Sequence, residues 1–274
     1  MRVEDLLFFG KQHIHSDHAK ILLSELLNLN PLELLNHLQD IVSEEQVTIY
    51  KKEVVALEQN KPLQYVLGNV NFYGNYFIVN KNVLIPRFET EELVENTIFY
   101  IKKFFPNPVD IIDLGCGSGV IGLTLEQKVS TKSVDLIDIS SKALEVAHKN
   151  CVKLNSKAKI LESDMFSNVE AQYDVIISNP PYIKDNEEIE EIVKENEPHL
   201  ALYAGSDGLD CYKKILTTCT PHMKEKCLIA FEIGMTQAEA IKKIAEENLG
   251  DIKTIIKKDL SGKDRMLFIF KNIE

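Results

Sequence analysis

The chain has 274 residues, 45% hydrophobic and 27% charged, a balance that excludes wholesale disorder. At the usual ~150 residues per domain it holds one large domain or two smaller ones, and it can bury a core without disulfide or metal staples. Its 31 basic and 42 acidic residues leave a net charge of −11, a field that repels bulk nucleic acid.

The opening M-R-V-E-D-L-L-F-F-G-K carries acids early and has no long apolar core before a small-residue cleavage site. No run approaches the ~18 apolar residues of a membrane-spanning helix. An intracellular, cytoplasmic protein without a membrane partner is therefore expected. The five cysteines, at 116, 151, 211, 219 and 227, form no C-x-x-C and read as reduced thiols. His13, His15 and His18 form H-x-H-x-x-H, but these spacings do not share one helix face and no carboxylate or cysteine completes a set. No metal is expected.

Residues 1–62 predict a small helical bundle. Ser16 or Asp17 caps a helix carrying Leu22, Leu23, Leu26 and Leu27. Asn30-Pro31 reads as an N-cap and first-turn proline of a helix with Leu34, Leu35 and Leu38 inside. Ser43 and Gln46 form a capping box, after which Val47, Tyr50, Val54 and Leu57 fall on one helical face. Residues 63–90 are rich in β-formers broken by Gly68-Asn69 and Gly74-Asn75, which predicts a joining β-hairpin with Gly-Asn as its turn.

From residue 91 onward short apolar strands alternate with helices. Strands are predicted at 109–114, 133–139, 158–162, 173–178, 227–233, 252–257 and 267–270, with helices such as 141–154 and 235–248 between them. Alternation implies right-handed crossovers and a mainly parallel sheet covered on both faces. Only a short loop separates the last two strands, so these are antiparallel. The expected fold is α/β, with a seven-stranded sheet whose last strand is antiparallel.

The segment D-L-G-C-G-S-G, residues 113–119, follows the first predicted strand of this region and opens a helix. Gly115, Gly117 and Gly119 permit positive φ and a close approach of backbone to ligand. The next strand ends at Asp138, where a carboxylate can accept hydrogen bonds from ribose hydroxyls, whereas Asp135 is mid-strand and expected to face outward. The third glycine comes one residue too early for a dinucleotide fingerprint, and no G-K-[ST] marks a phosphate loop. Together these features predict a nucleoside-containing cofactor.

D-x-G-x-G-x-G with a following acidic strand end resembles the S-adenosylmethionine site of the Rossmann-like methyltransferases. The resemblance implies that Gly115, Cys116, Gly117, Ser118 and Gly119 pass the methionine part of the cofactor and that Asp138 holds its ribose. It also implies that Asp164, in E-S-D-M-F, bonds the adenine amino group, with Met165 or Phe166 packing on the ring.

The strand at 173–178 runs into Asn179, Pro180, Pro181 and Tyr182. Two prolines force the strand to stop and present Asn179 at its carboxyl end, where it is expected to contact the cofactor as well as the substrate. The lone pair of an amide or conjugated amino nitrogen is delocalised, which makes it a poor nucleophile. The Asn179 side-chain oxygen and the Pro180 carbonyl can take both N–H hydrogens and aim the nitrogen at a sulfonium methyl, while Tyr182 stacks on the flat group. N-P-P-Y alone leaves two substrate classes: glutamine amides in protein, and amino groups of adenine or cytosine in nucleic acid.

Four further segments resemble those of the release-factor glutamine methyltransferases. They are V-L-I-P-R-F-E-T-E-E-L (83–93), E-P-H-L-A-L-Y-A-G-S-D-G-L (197–209), F-E-I-G-x-x-Q (231–237) and D-L-S-G-K-D-R (259–265). The resemblance implies a helical substrate-recognition domain at 1–62, a hairpin linker at 63–90 and a Rossmann-like methyltransferase domain at 91–274. It implies N5-methylation of the G-G-Q glutamine in class-1 peptide chain release factors by a monomeric enzyme. Arg87, Glu89 and Thr90 either shape the pocket or brace the interface. Phe88 stands where the family usually has proline, and Cys116 where threonine is frequent. The acidic run at 187–191 reads as a solvated helix face or as a surface greeting basic residues of the partner. A nucleic-acid methyltransferase would want a basic recognition region, which this chain lacks.

Overall fold

The computed structural model describes residues 1–273 and divides into two compact units, the first comprising residues 1–69 with 190–196 and the second the remainder. In the first, α1 (Val3–His13), α2 (Ser16–Leu27), α3 (Glu44–Glu58) and the short α4 (Leu63–Leu67) enclose Leu6, Leu22, Leu23, Leu34, Tyr50 and Val54, all fully buried. Helix α3 starts on the predicted box, with the Ser43 Oγ accepting from the Gln46 N–H at 3.2 Å and the Gln46 Oε1 from the Ser43 N–H at 3.3 Å. Helix α2 is capped one residue earlier than expected, by the His15 ring, which accepts from the Asp17 N–H.

The helix expected after Asn30-Pro31 shrinks to a 3-10 turn, Glu33–His37. Asn30 does cap it, accepting from the N–H groups of Leu32 and Glu33 at 3.0 and 2.8 Å. The chain must then reverse so that Ile41 bridges to Arg2, which leaves room for little more than one turn. Only Leu34 of the expected trio is fully buried, and Leu35 is 55% exposed.

The hairpin pairs β1 (Asn69–Phe72) with β2 (Asn75–Ile78). Its turn is Tyr73-Gly74, at φ 50° and 82°, one residue ahead of the predicted Gly74-Asn75. Positive φ at both turn residues matches the right-handed twist of the strands. Phe72 and Phe77 meet edge to face at 6.0 Å and anchor the hairpin in the core of the second unit.

There follow α5 (Phe88–Phe104), β3 (Val109–Leu114), α6 (Val120–Lys128), β4 (Thr131–Asp138), α7 (Ser141–Leu154), β5 (Lys159–Glu162) and β6 (Tyr173–Ser178). After α8 (Glu191–Asn196), which falls in the first unit, come α9 (Asp210–Thr218), β7 (Met223–Glu232), α10 (Ala238–Leu249), β8 (Lys253–Lys258) and β9 (Asp264–Lys271). The seven strands lie in the order β5-β4-β3-β6-β7-β9-β8. The fold is the expected α/β sheet, and β9 is its single antiparallel strand, inserted between β7 and β8. The order reverses at β3 and β6, which opens a crevice at their carboxyl ends.

Local differences have local causes. Strand β7 begins four residues before the predicted start, at Met223, because Lys224 is held by Asp110 and Asp174 at 2.5 Å each. Helix α10 begins at Ala238 and not at 235, since the Gln237 side chain accepts from the Gly234 N–H and keeps that stretch a turn. Asp135 does not face outward but accepts from the Tyr173 hydroxyl at 2.6 Å. The acidic run is exposed, as expected, but precedes a helix and does not form one until Glu191.

In α1, Gly10 lies where a Cβ would sit 2.1 Å from the Tyr50 hydroxyl, which donates to the Ala19 carbonyl. Gly10→Ala should lower stability by about 1–3 kcal/mol despite alanine's better helix propensity. Adding Tyr50→Phe should recover part of the loss in urea unfolding. Equal stabilities of wild type and Gly10→Ala would contradict this packing.

Candidate active site

Strands β3 and β6 are adjacent and in register, with Asp113 opposite Ile177, and the Ser178 hydroxyl donates to the Leu114 carbonyl at 2.6 Å. The glycine turn after β3 and the Asn-Pro-Pro turn after β6 therefore leave the sheet side by side. Gly115 and Gly117 have φ 68° and 55°, and a Cβ on either would meet nothing within 4 Å. The backbone there is bare on its open side. Gly119 differs from both, because it caps α6 at φ 81° and a Cβ there would press on Leu123 and Leu136 at 3.1 and 3.3 Å.

Three anchors fix the turn. The Cys116 N–H donates to the Ile137 carbonyl at 2.8 Å, the Gly117 N–H to the Asp138 Oδ2 at 2.9 Å, and Asn150 Nδ2 to the Ser118 carbonyl at 2.9 Å. Asn150 also exchanges two hydrogen bonds with the Ile78 backbone in β2. Sequence reasoning missed Asn150. Its signal was an amide on the apolar face of α7, beside Ala147 and Cys151.

One cavity gathers Gly115, Cys116, Gly117, Ser118, Asp138, Asp164, Met165, Asn179 and Pro181 of the predicted residues. Gly119, Phe166, Pro180 and Tyr182 do not line it. Phe166 is buried and stacks on His222 at 4.6 Å, so of the two adenine-packing candidates it is Met165, at φ 52°, that turns to the cavity. Tyr182 packs on the core, and its carbonyl accepts from Gln237 Nε2 at 2.9 Å. Burial pushes its phenol up to about 12. The Asp164 carboxylate is paired with Lys214 on α9.

Behind the glycine turn one buried carboxylate is short of partners. Asp113 is fully buried. Its Oδ2 accepts from the Gly122 N–H at 2.9 Å, while its Oδ1 has no partner. Burial, with the negative Asp138 nearby, pushes it up to about 7. Burial also raises Asp138, against the pull of the Ser140 and Gly117 N–H groups. Of the two, Asp138 lines the cavity, its oxygens held by the Gly117 and Ser140 N–H groups, and a carboxylate beside the bare glycine backbone suits a cationic ligand.

At the opposite wall, Asn179 Nδ2 donates to the Thr90 hydroxyl at 3.1 Å, and that hydroxyl donates to Glu232 Oε2 at 2.7 Å. Glu232 is buried, and burial raises it to about 7 despite the Thr90 hydrogen bond and the Arg265 charge. Thr90 thus reaches the cavity, while the neighbouring Ile85 N–H and Arg87 are braced by Glu197 at 3.0 and 2.5 Å. Arg265 is held by Asp259 at 3.2 Å and donates to the Ile233 carbonyl. Gly208, at φ 73°, lets Gln237 reach both its carbonyl and that of Tyr182, because a Cβ would sit 2.4 Å from the Tyr182 oxygen. Glu232 and Gln237 were visible only as motif members, although an acid ending the apolar run C-L-I-A-F-E-I is itself a signal.

The PrmC N-terminal domain family matches residues 11–68 and the Methyltransferase small domain family matches residues 88–202. The "Release factor glutamine methyltransferase" of Bacillus subtilis (strain 168) is 36% identical over 93% of this chain and 91% of its own length. That of Leptospira interrogans is 35% identical over 96% and 94%. Among solved structures, the 16S rRNA N2 G1207 methyltransferase of T. thermophilus, in complex with AdoMet and guanosine, superposes with a TM-score of 0.54 at 16% identity, covering 74% of this chain and 50% of its own, a likeness of fold. With identities above a third across nearly the full length of its relatives, the chain belongs to the release factor glutamine methyltransferase family.

Proposed function

We propose that the protein transfers a methyl group from S-adenosylmethionine to the side-chain amide nitrogen of the G-G-Q glutamine in class-1 peptide chain release factors, acting as a monomer in the cytoplasm. The observation that carries this reading is the meeting of Asn179 with the bare glycine turn in one cavity. The relatives' names support the release factor as substrate, and the net charge of −11 argues against the nucleic-acid alternative. Among the described residues no helix is long and apolar enough to cross a membrane, and the cysteines are free thiols, in keeping with a reducing compartment.

The cavity suits the cofactor. Bare backbone at Gly115 and Gly117 admits its methionine part, Asp138 offers oxygens to the ribose, and Met165 with Asp164 is available to the base. When bound, S-adenosylmethionine supplies a methyl group made electrophilic by its sulfonium. Asn179 Oδ1 and the Pro180 carbonyl accept the two hydrogens of the glutamine amide, which raises electron density on nitrogen and aims it for in-line attack. Pro180 itself does not line the cavity, whereas Asn179 and Pro181 on either side of it do, and the role proposed for it is that of its backbone oxygen alone. No base need act before attack, because the product nitrogen sheds its proton afterwards. Tyr182 in turn holds the Pro181 corner, through its own carbonyl bound to Gln237. The helical unit of 1–62 contributes grip on the release factor.

Mass spectrometry of a release factor incubated with enzyme and cofactor should find one added methyl on the G-G-Q glutamine, and Asn179→Ala should abolish it. Methylated DNA beside unmodified release factor would overturn the assignment. Asp138→Ala should weaken S-adenosylmethionine binding by about 10- to 100-fold in calorimetry, the loss of charge-assisted hydrogen bonds, while Asn179→Ala shifts it no more than about threefold.

A further inference from the structure

We propose that Thr90 and Glu232 are positioning residues that fix the Asn179 amide in the one orientation able to accept hydrogens from the substrate amide. The inference rests on the glutamine-methylating reading above and extends it to two groups that act through Asn179.

Hydrogen-bond direction runs one way through the three groups. An ionised carboxylate only accepts. The single hydrogen of the Thr90 hydroxyl is committed to Glu232, so the Thr90 oxygen faces Asn179 as an acceptor. Asn179 must then turn Nδ2 toward Thr90, as it does at 3.1 Å, and Glu232 accepts from the same amide. With its N–H side drawn inward, the planar amide has its Oδ1 left for the substrate. A flipped Asn179 would instead point donors at the donors of the glutamine amide, and the acceptor pair that activates nitrogen would be lost.

The same chain makes the site responsive to protons. Protonated Glu232 can donate to Thr90, which frees the Thr90 hydrogen to turn toward Asn179 and permits the flip. The groups facing Glu232 are Arg265 from β9, Glu89 from α5, the Tyr182 phenol after β6, and Tyr212 on α9, whose hydroxyl donates to the Glu232 carbonyl at 2.8 Å. Both phenols are raised by burial, Tyr182 to about 12 and Tyr212 well above the usual phenol value, so neither titrates near neutrality. Glu232 is raised to about 7, and the active form is the ionised one above that value. Turnover should therefore fall as pH drops through about 7. Asp113 is also raised to about 7 but belongs to the glycine-turn side, so removing only the Glu232 charge distinguishes the two.

The test is steady-state methyl transfer to a release factor between about pH 5.5 and pH 9, with wild type, Thr90→Val, Thr90→Ser and Glu232→Gln. Thr90→Val should lower kcat by about 10- to 100-fold with KM for the release factor within about threefold, and Thr90→Ser should restore kcat to within about threefold. Glu232→Gln should lose the acid limb near pH 7 and run about tenfold slower at pH 8, because an amide there can offer Thr90 either end. Should Thr90→Val fail to fold by circular dichroism, the serine rescue of kcat and the glutamine pH profile carry the test. A wild-type kcat in Thr90→Val, a loss confined to KM, or an acid limb kept in Glu232→Gln would overturn the positioning role alone. Wild type that leaves the release factor unmodified would overturn the functional reading and this inference with it.

Discussion

A β-ladder cannot run through two consecutive prolines, and the geometry of the site follows from where β6 is forced to end. Proline has no N–H to give a neighbouring strand. Asn179 is the last residue before the pair, so it sits at the tip of β6 and its side chain is released from the sheet. Parallel register then decides its company. Ser178 pairs with Phe231 of β7, which brings Glu232 level with Asn179, and Ile177 pairs with Asp113 of β3, which brings the glycine turn to its other side. Three separate segments are aligned by ladder hydrogen bonds alone before any side-chain contact is made.

The two ends of the same sheet are treated oppositely. At the amino ends of β3, β6 and β7, Asp110, Asp174 and Lys224 form a closed ionic group joined by Ser133. Burial there pushes Asp110 up, yet the Lys224 and Ser133 hydrogen bonds outweigh it and its carboxyl is held below the usual range. At the carboxyl ends, Asp113, Asp138 and Glu232 are all raised by burial. One end is closed by its own ion pairs and serves the fold, while at the other Asp138 lies open to the cavity and Asp113 keeps one oxygen without a partner.

Much of this was legible in the sequence because it is local. Strand-helix alternation, the Ser43 capping box, the glycine spacing and the N-P-P-Y stop are each written within a few residues. What the sequence concealed lies in distances along the chain. The Asn179–Thr90 hydrogen bond spans 89 positions and the Thr90–Glu232 bond 142, and neither leaves a periodic trace. Phe166 and Met165 are neighbours of similar apolarity, and only packing against His222 decides which one turns inward. The turn at Tyr73-Gly74 defeated a rule that favours asparagine beside glycine, because the pleat of the buried Phe72 and Phe77 sets the register.

Strand β9 has a consequence for how the chain matures. Pairing with β7 on one side and β8 on the other, it occupies an interior slot of the sheet, although it is the last of the seven strands to be synthesised. Until residues 264–271 arrive, the apolar β7 lacks its outer neighbour and presents an unpaired edge, the kind of template on which chains aggregate. Arg265, which compensates the buried Glu232, arrives on the same strand. The nascent protein therefore acquires a closed sheet and a charge-balanced Glu232 in a single late event, and truncation ahead of β9 is expected to cost both at once.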